Sequence, residues 1–394
     1  VTDRPNAASR ACFPELPPVE AFLHDSHAGR IADIAGVVAE RIAPRPESPS
    51  DDAARSEARE LLGVLAEAGA LEAIREQDLR LCCLVRESLG AASPLADAVF
   101  ALQALGTTPI LLGGDDDQRR RFAEPALAGR AIAAFAMTEP DAGSDVASMS
   151  TSAVRDGSDW VLEGTKTFIS NAGIADFYTV FASTDRTARG RGITAFVVPA
   201  DAPGFRFVRP LVMASPHPLG EIAFEACRIP DANRLGPEGG GFKLGLATLD
   251  RLRSTVAAAA CGMGRRALEE AIDHAKTRRQ FDRPIAEFQL VQEKLARMSM
   301  QLDASRLLTY RAARAKDGGA ERVTREAAAA KAFATEAAQR IVDDAVQILG
   351  GRGVMADHPV DRLYRSVRSL RIYEGTTEVQ HLILAGELLK ERDA

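Results

Sequence analysis

Arg371-Ile372-Tyr373-Glu374-Gly375-Thr376-Thr377-Glu378-Val379-Gln380 is the stretch that decides how this 394-residue chain is to be read. Arg371 to Tyr373 close one helix, and Gly375 supplies a residue free to adopt positive φ. Thr376 or Thr377 then caps the next helix, and Thr377 with Gln380 has capping-box spacing. Glu374 therefore stands at a helix–helix break, where its side chain can project into a cavity. The N-terminus of the new helix offers N–H donors to an anion.

Working back from that junction, helical periodicity extends to Gly239-Gly240-Gly241. It is interrupted at Arg283-Pro284, Asp317-Gly318-Gly319 and Gly350-Gly351, which leaves helices of about 25–30 residues. Long antiparallel helices with short links form a bundle. Between about 131 and 235 the texture is different. Short β-prone runs (Trp160–Leu162, Tyr178–Ala182, Ile193–Val198, Ile222–Phe224) lie between turn residues, and Asp156-Gly157 is a hairpin signal. That segment is expected to be an antiparallel sheet or small barrel. From about residue 20 to 130 the pattern is helical again, as in Ile31-Ile34-Val37-Val38-Ile42, with breaks at Ala43-Pro44-Arg45-Pro46, Ala92-Ser93-Pro94 and Gly113-Gly114. The expected fold is α+β, mainly α: helical over 1–130, β over 131–238, helical over 239–394.

Composition narrows the function classes. With 46% hydrophobic and 26% charged residues the chain is of ordinary globular type. A net charge of −6, with Arg and Glu spread along the chain, argues against nucleic acid, whose binding normally needs a basic face. Asp115-Asp116-Asp117 followed by Arg119-Arg120-Arg121 is best explained as an acidic helix start with a solvated basic turn after it. The five cysteines (Cys12, Cys82, Cys83, Cys227, Cys261) have neither disulfide nor metal spacing and are expected to be buried thiols in a reducing compartment. The six histidines form no paired-ligand pattern, so no metal is expected. No apolar run is expected to reach the roughly 18 residues that span a bilayer. The first residues, with Asp3 and Arg4, have no signal-peptide core, which makes a cytoplasmic location the expectation.

Three further segments break their local rules. The polar loop Ala136-Met137-Thr138-Glu139-Pro140-Asp141-Ala142-Gly143-Ser144-Asp145 exposes N–H groups and hydroxyls suited to a polar ring edge or a phosphate. On the residues alone it is equally a plain turn. Lys166-Thr167-Phe168-Ile169-Ser170-Asn171-Ala172 puts an aromatic and two hydroxyls at a strand end, where Phe168 suits a flat ring but an isolated strand aromatic is more often core. Arg278-Arg279-Gln280-Phe281 with Phe288-Gln289 suits phosphate, or is a solvated helix end. Asp250 and Arg253, spaced i,i+3, could clamp a polar ligand chain, although spacing alone favours a surface ion pair.

Together these segments resemble the acyl-CoA dehydrogenase family over nearly the whole chain from about residue 20. The resemblance rests on T-E-P-x-A-G-S-D at Thr138 to Asp145, R-x-Q-F-x-x-P at Arg278 to Pro284, Q-x-x-G-G-x-G at Gln347 to Gly353 and I-Y-E-G-T at Ile372 to Thr376. It implies an N-terminal helical domain, a central antiparallel β domain, a C-terminal four-helix bundle, and a homotetramer built as a dimer of dimers. It also implies FAD between the β domain and the bundle. Phe135, Met137, Thr138, Gly143 and Ser144, with Phe168, Ile169 and Ser170, would line its isoalloxazine and ribityl region, and Thr376 and Glu378 would touch it too. Arg278, Phe281, Gln289, Gln347, Gly350 and Gly351 would reach FAD held by a neighbouring subunit. Ser144, Asp250 and Arg253 would hold the pantetheine portion of CoA, with Gly375 beside the thioester.

The implied reaction is α,β-dehydrogenation of an acyl-CoA to a trans-2-enoyl-CoA, with Glu374 as base and an electron-transfer flavoprotein as acceptor. An acyl carrier protein thioester is an alternative substrate, since both carriers present pantetheine. A branched-chain subgroup places the base where this chain has Leu252, which cannot take a proton. An oxygen-using flavin oxidase or monooxygenase is the rival on this fold; nitroalkane oxidases use an Asp base, against Glu374. Three segments depart from the family pattern: Ala70 to Leu81, Met213 to Gly220, and Tyr364-Arg365-Ser366. The first two bear on the substrate mouth and carrier contacts, and none touches the flavin motifs.

Overall fold

In a computed structural model of the chain, residues 6–390 are described, so Asp3 and Arg4 lie outside the described residues. The chain forms two compact units. A helical unit gathers residues 6–47, Gln77–Asp97 and 250–390, and a sheet unit gathers Ser48–Glu76 and Ala98–Leu249.

The sheet unit is built on β1 (Ala133–Ala136), β2 (Ser152–Asp156), β3 (Asp159–Ser170), β4 (Phe177–Ser183), β5 (Ile193–Pro199), β6 (Phe205–Pro210), β7 (Leu219–Pro230) and β8 (Arg234–Leu235). They form one sheet in the order β6-β7-β3-β2-β4-β5-β8, with β1 also paired to β4. The four β-prone runs fall on β3, β4, β5 and β7. The β2–β3 hairpin closes where expected, with Asp156 opposite Asp159 and Gly157 at φ 62°. The sheet is antiparallel along most of its width, but β1 and β2 meet β4 in parallel. A parallel pair needs a crossover of a dozen or more residues. The chain between β1 and β4 is long enough to supply one, and periodicity within a strand does not reveal its direction. β4 is buried at every residue, as a strand covered on both faces must be.

Among the helices, α1 spans Asp25–Val37, α2 Asp51–Glu67, α3 Leu79–Ala92 and α4 Pro94–Gly113. The acidic-then-basic run is the capped turn anticipated: the Asp115 side chain accepts from the Gln118 N–H, and Arg119 and Arg120 pair with Asp116 and Asp117. One expectation fails. At 20 residues and mean hydropathy 1.5, α4 is long and apolar enough to cross a membrane. Gln103, Thr107 and Thr108 break its run of apolar letters without lowering the average much. Its apolar window is 78% buried within the protein, as in a core helix.

The later helices are α5 (Gly241–Thr277, of which the residues from Asp250 on belong to the helical unit), α6 (Gln289–Asp317), α7 (Thr324–Leu349), α8 (Pro359–Leu370) and α9 (Thr377–Lys390). Every break falls where the sequence places it, although the last two helices have only 12 and 14 residues. Val256, Met263, Ala334, Ile341, Val360 and Leu370 belong to a continuous core. α3 and α5 touch backbone to backbone: a Cβ at Gly262 would collide with the Glu87 carbonyl, so no larger residue fits that crossing. All five cysteines are buried and unpaired, and burial pushes Cys12 and Cys227 up to about 11. As thiols they are inert.

Candidate active site

The corner at Glu374 is tightly held. Glu374 has φ 54° and Gly375 φ 89°, a left-handed pair that only the glycine adopts without cost. The Ile372 and Tyr373 N–H groups both donate to the Ser369 carbonyl, and the Thr377 N–H reaches back to the Arg371 carbonyl. From α7, Lys331 Nζ donates to the Gly375 carbonyl at 2.6 Å. From α9, Gln380 Nε2 donates to the carbonyls of Gly375 at 3.0 Å and Glu374 at 3.3 Å. The expected Thr377–Gln380 capping box is therefore not formed. Thr376 is the cap, accepting from the Val379 N–H at 3.3 Å, while the Thr377 hydroxyl goes to Glu336. With Gln380 recruited to clamp the corner, it has no reach left for a box.

Glu374 is a poorly solvated acid. Its Oε2 is buried with no hydrogen-bond partner among the described residues. Burial raises its pKa, against the cations Arg86, Arg253 and Lys331, while Asp97 adds to the rise. Burial also pushes Lys331 down to about 8, although Glu374 opposes the change. Arg253 Nη1 meets Asp250 Oδ1 at 3.2 Å with both side chains largely covered, so the pair is not the surface contact that spacing alone favoured. Leu252 beside it is buried and has no proton to exchange. A carboxyl group in this setting is a stronger base than its free counterpart and is shielded from water.

In the sheet unit the Thr138–Asp145 loop is anchored from below. The Glu139 carboxylate accepts from the Ser150 and Thr151 N–H groups, the Ser150 hydroxyl and Lys166 Nζ, the last at 2.8 Å. Lys166 donates as well to the Met137 carbonyl. Burial alone would raise Glu139, but Lys166 and these donors bring it down to about 2. Gly143 and Ser144 stand exposed above this anchor, and open space surrounds a Cβ built at Gly143. Phe135 is half-buried and Met137 buried.

Phe168 is not a core aromatic: it is 64% exposed at φ 54°. The β3–β7 register shifts between Lys166 and Ile169, and this irregularity turns the ring outward. Ile169 is buried, and the Ser170 hydroxyl lies 2.8 Å from His217 Nε2. Burial drives His217 down to about 4, so the imidazole is neutral at pH 7.

In the helical unit, Arg279-Gln280 and Arg283-Pro284 make a small hairpin. At its tip Phe281 is 88% exposed with φ 50°, and its ring stands nearly perpendicular to that of Phe288, with centroids 6.1 Å apart. Arg278, Gln289, Gln347, Gly350, Gly351 and Glu378 are exposed, and Gly350 ends α7 at φ 60°. Eight described non-glycine residues have positive φ, and Phe168, Phe281 and Glu374 are three of them. Strain held at positions picked out by chemistry points to function. Within the sheet unit, the exposed Phe168 ring, the hydroxyls and the open Gly143 suit a planar, hydrogen-bonding ring system; within the helical unit, Arg278, the Phe281 ring and the open Gly350 and Gly351 suit a phosphate-bearing group. A separate cleft of about 540 Å³, walled by Arg297, Arg340, Asp343, Asp344 and Arg368, is too charged for an acyl chain.

Residue patterns do not single out Arg86, Asp97, Lys331 or His217. Lys331 alone leaves a trace, as a lone cation on the otherwise Ala-rich face of α7.

Comparison with known proteins adds independent ground. Residues 134–227 match the family model "Acyl-CoA dehydrogenase, middle domain", and residues 239–389 match "Acyl-CoA dehydrogenase, C-terminal domain". The chain is 42% identical over 317 residues to a 3-(aryl)acrylate reductase of Clostridium sporogenes, covering 79% of this chain and 84% of that one. Butyryl-CoA dehydrogenase from Megasphaera elsdenii superposes with a TM-score of 0.87 at 33% identity, over 93% of this chain and 99% of that one. The prolyl acyl carrier protein oxidase AnaB superposes with a TM-score of 0.83 at 28% identity, over 92% and 99%.

Proposed function

The chain belongs to the acyl-CoA dehydrogenase family, oxidoreductases acting on CH–CH donors, and from that premise we propose that it converts an acyl-CoA to the trans-2-enoyl-CoA with Glu374 as the base. The observation that carries this reading is Glu374 Oε2, buried at a strained corner without a hydrogen-bond partner among the described residues. In this reading the α-proton of the thioester passes to Glu374. The Glu374 N–H, which has no backbone acceptor among the described residues, donates to the thioester carbonyl as negative charge develops on it. A preorganised donor of this kind contributes about 3–4 kcal/mol. The redox chemistry comes from FAD, which when bound accepts the β-hydrogen as hydride.

Thr138, Ser144, Phe168 and Ser170 of the sheet unit, and Thr376 and Glu378 of the helical unit, are the proposed FAD contacts. His217 fixes the Ser170 hydroxyl. Asp250, Arg253, Ser144 and Gly375 are the proposed contacts to pantetheine and thioester. Arg278, Phe281, Gln289, Gln347, Gly350 and Gly351 are proposed to serve FAD in a second copy of the chain. The exposed apolar side chains Phe281, Leu290, Met300 and Leu382 support such an assembly, a homotetramer in this reading. Light scattering should then return the mass of four protomers, and a monomer would dismiss it. An electron-transfer flavoprotein is the proposed acceptor.

The test is anaerobic bleaching of the bound flavin by straight, branched, cyclic and arylpropionyl thioesters, each on CoA and on acyl carrier protein. Bleaching by a CoA thioester supports the proposal, and bleaching confined to the protein-borne thioesters moves the substrate to the carrier. Fast oxygen-dependent turnover with no thioester would replace it with an oxidase.

A further inference from the structure

Lys331, on α7, is 0% exposed, and its Nζ makes one hydrogen bond among the described residues, to the Gly375 carbonyl at 2.6 Å. No carboxylate stands within ion-pair distance of it among the described residues. A fully buried lysine is normally paired with an acid, and an unpaired buried charge costs stability. The carbonyl does not need the lysine in order to be satisfied, because Gln380 Nε2 donates to the same oxygen at 3.0 Å. An ammonium kept at this cost, on the residue that follows Glu374, has a use other than folding.

That use follows from what the corner holds fixed. α7 grips it on both sides of Glu374: Lys331 takes the Gly375 carbonyl, while Glu336 Oε1 accepts from Arg371 Nε at 2.6 Å and from the Thr377 hydroxyl at 3.1 Å. Gln380, from α9, takes the Glu374 carbonyl as well, at 3.3 Å, and a Cβ at Gly375 would run into its amide. In a planar trans peptide the N–H points away from the C=O. Carbonyls held towards Lys331 and Gln380 therefore turn the N–H groups of Gly375 and Thr376 the other way. Neither these nor the Glu374 N–H has a backbone acceptor among the described residues. Consecutive donors are thus left free where φ is 54° and 89°, a conformation that Glu374 keeps only while its neighbours hold it.

We propose that Lys331 is a positioning residue of the reaction: by gripping the Gly375 carbonyl it keeps the corner left-handed, and so holds the Glu374 N–H on the thioester carbonyl. The proposal rests on the reading of that N–H as the donor to the thioester. Lys331 itself touches no reacting atom, and its ammonium keeps its protons throughout.

The test compares the parent with Lys331→Met, similar in length but apolar, both loaded with FAD. The probe in anaerobic stopped flow is butyryl-CoA, or phenylpropionyl-CoA where that bleaches the parent flavin faster. The reduction rate should fall by about 10²-fold, the effect of losing one such donor, while thioester affinity stays within a few-fold. The melting temperature should equal or exceed that of the parent, since an unpaired buried charge has gone. The same thioester, isotopically labelled at its carbonyl carbon, is then bound to Glu374→Gln, which holds it unreacted, and to Glu374→Gln/Lys331→Met. Its infrared carbonyl band should lie below that of the free thioester in the first and return towards it in the second. A band that does not move between the two, in folded and FAD-bound proteins, overturns the proposal whatever the melting temperature does. A band at the free frequency in Glu374→Gln alone would instead remove the reading of the N–H as donor, and near-normal turnover by Glu374→Gln would remove the reading of its carboxyl as base. If Lys331→Met does not fold, Lys331→Gln, polar but one atom shorter, takes its place with the same expected rate and band.

Discussion

Replacing Glu374 by glutamine should lower thioester-driven flavin reduction by ~10²–10⁴-fold, the usual contribution of a positioned general base. Glutamine keeps the size and polarity of the side chain but cannot accept the α-proton. The corner itself is held by backbone carbonyls bonded to Lys331 and Gln380, none of which involves the Glu374 side chain. FAD content, thioester affinity and melting temperature should therefore stay near those of the parent protein. Stopped-flow absorbance under anaerobic conditions separates the two effects, because binding perturbs the flavin spectrum before reduction bleaches it. A reduction rate within a few-fold of the parent would show that the proton leaves by another route. Loss of binding together with loss of rate would mean that the side chain holds the site open rather than reacting in it.

The second large effect is expected at the anchor of the Thr138–Asp145 loop. Lys166→Met should destabilise the protein by about 3–5 kcal/mol, since it leaves the Glu139 charge buried without its counterion. The two side chains are 0% and 2% exposed, so solvent cannot take over the lost contact. The pair also predicts an acid limb. Glu139 is held at about 2 in the folded chain, below its ordinary value, so the unfolded chain binds protons first as pH falls. Its contribution is complete above about pH 4–5 and disappears as pH drops towards 2, amounting to about 3 kcal/mol. Thermal melts from pH 7 to pH 2 should steepen in this window for the parent and flatten for Glu139→Gln. Parallel curves for the two proteins, or a Lys166→Met melt within a degree or two of the parent, would contradict a buried, charged pair. Since the anchor sits under Thr138 and Ser144, FAD affinity should fall with stability in Lys166→Met.

The fold was legible because its signals are local. Glycine and proline breaks mark helix ends wherever they occur, and the boundaries at Pro44, Pro94, Gly113, Pro284, Gly318, Gly350 and Gly375 could be placed for that reason. Alternating β-prone runs and Asp156-Gly157 identified strands and one hairpin. The same local character also misled. Gln380 has the spacing of a capping-box partner for Thr377 but is drawn to two carbonyls of the preceding corner. Phe168 has the composition of a core strand residue but is turned out by a break in register with a strand some fifty residues later. The letters of α4 understate how apolar that helix is.

For the site, residue order is enough to read the corner: a carboxylate before a glycine, between two helices, follows from it, as do the polar Thr138–Asp145 loop and the helix break at Arg283-Pro284. The electrostatic setting of that carboxylate, by contrast, exists only once the chain is folded. Arg86, Asp97, Arg253 and Lys331 come from four helices; spacing marks Arg253 only as a partner of Asp250, Lys331 is no more than a lone cation in an Ala-rich run, and nothing marks Arg86 or Asp97. Coulomb interaction depends on distance in space and on the medium between charges, and chain order encodes neither. A residue's identity can be read one position at a time; how strongly it holds its proton is a property of everything folded around it.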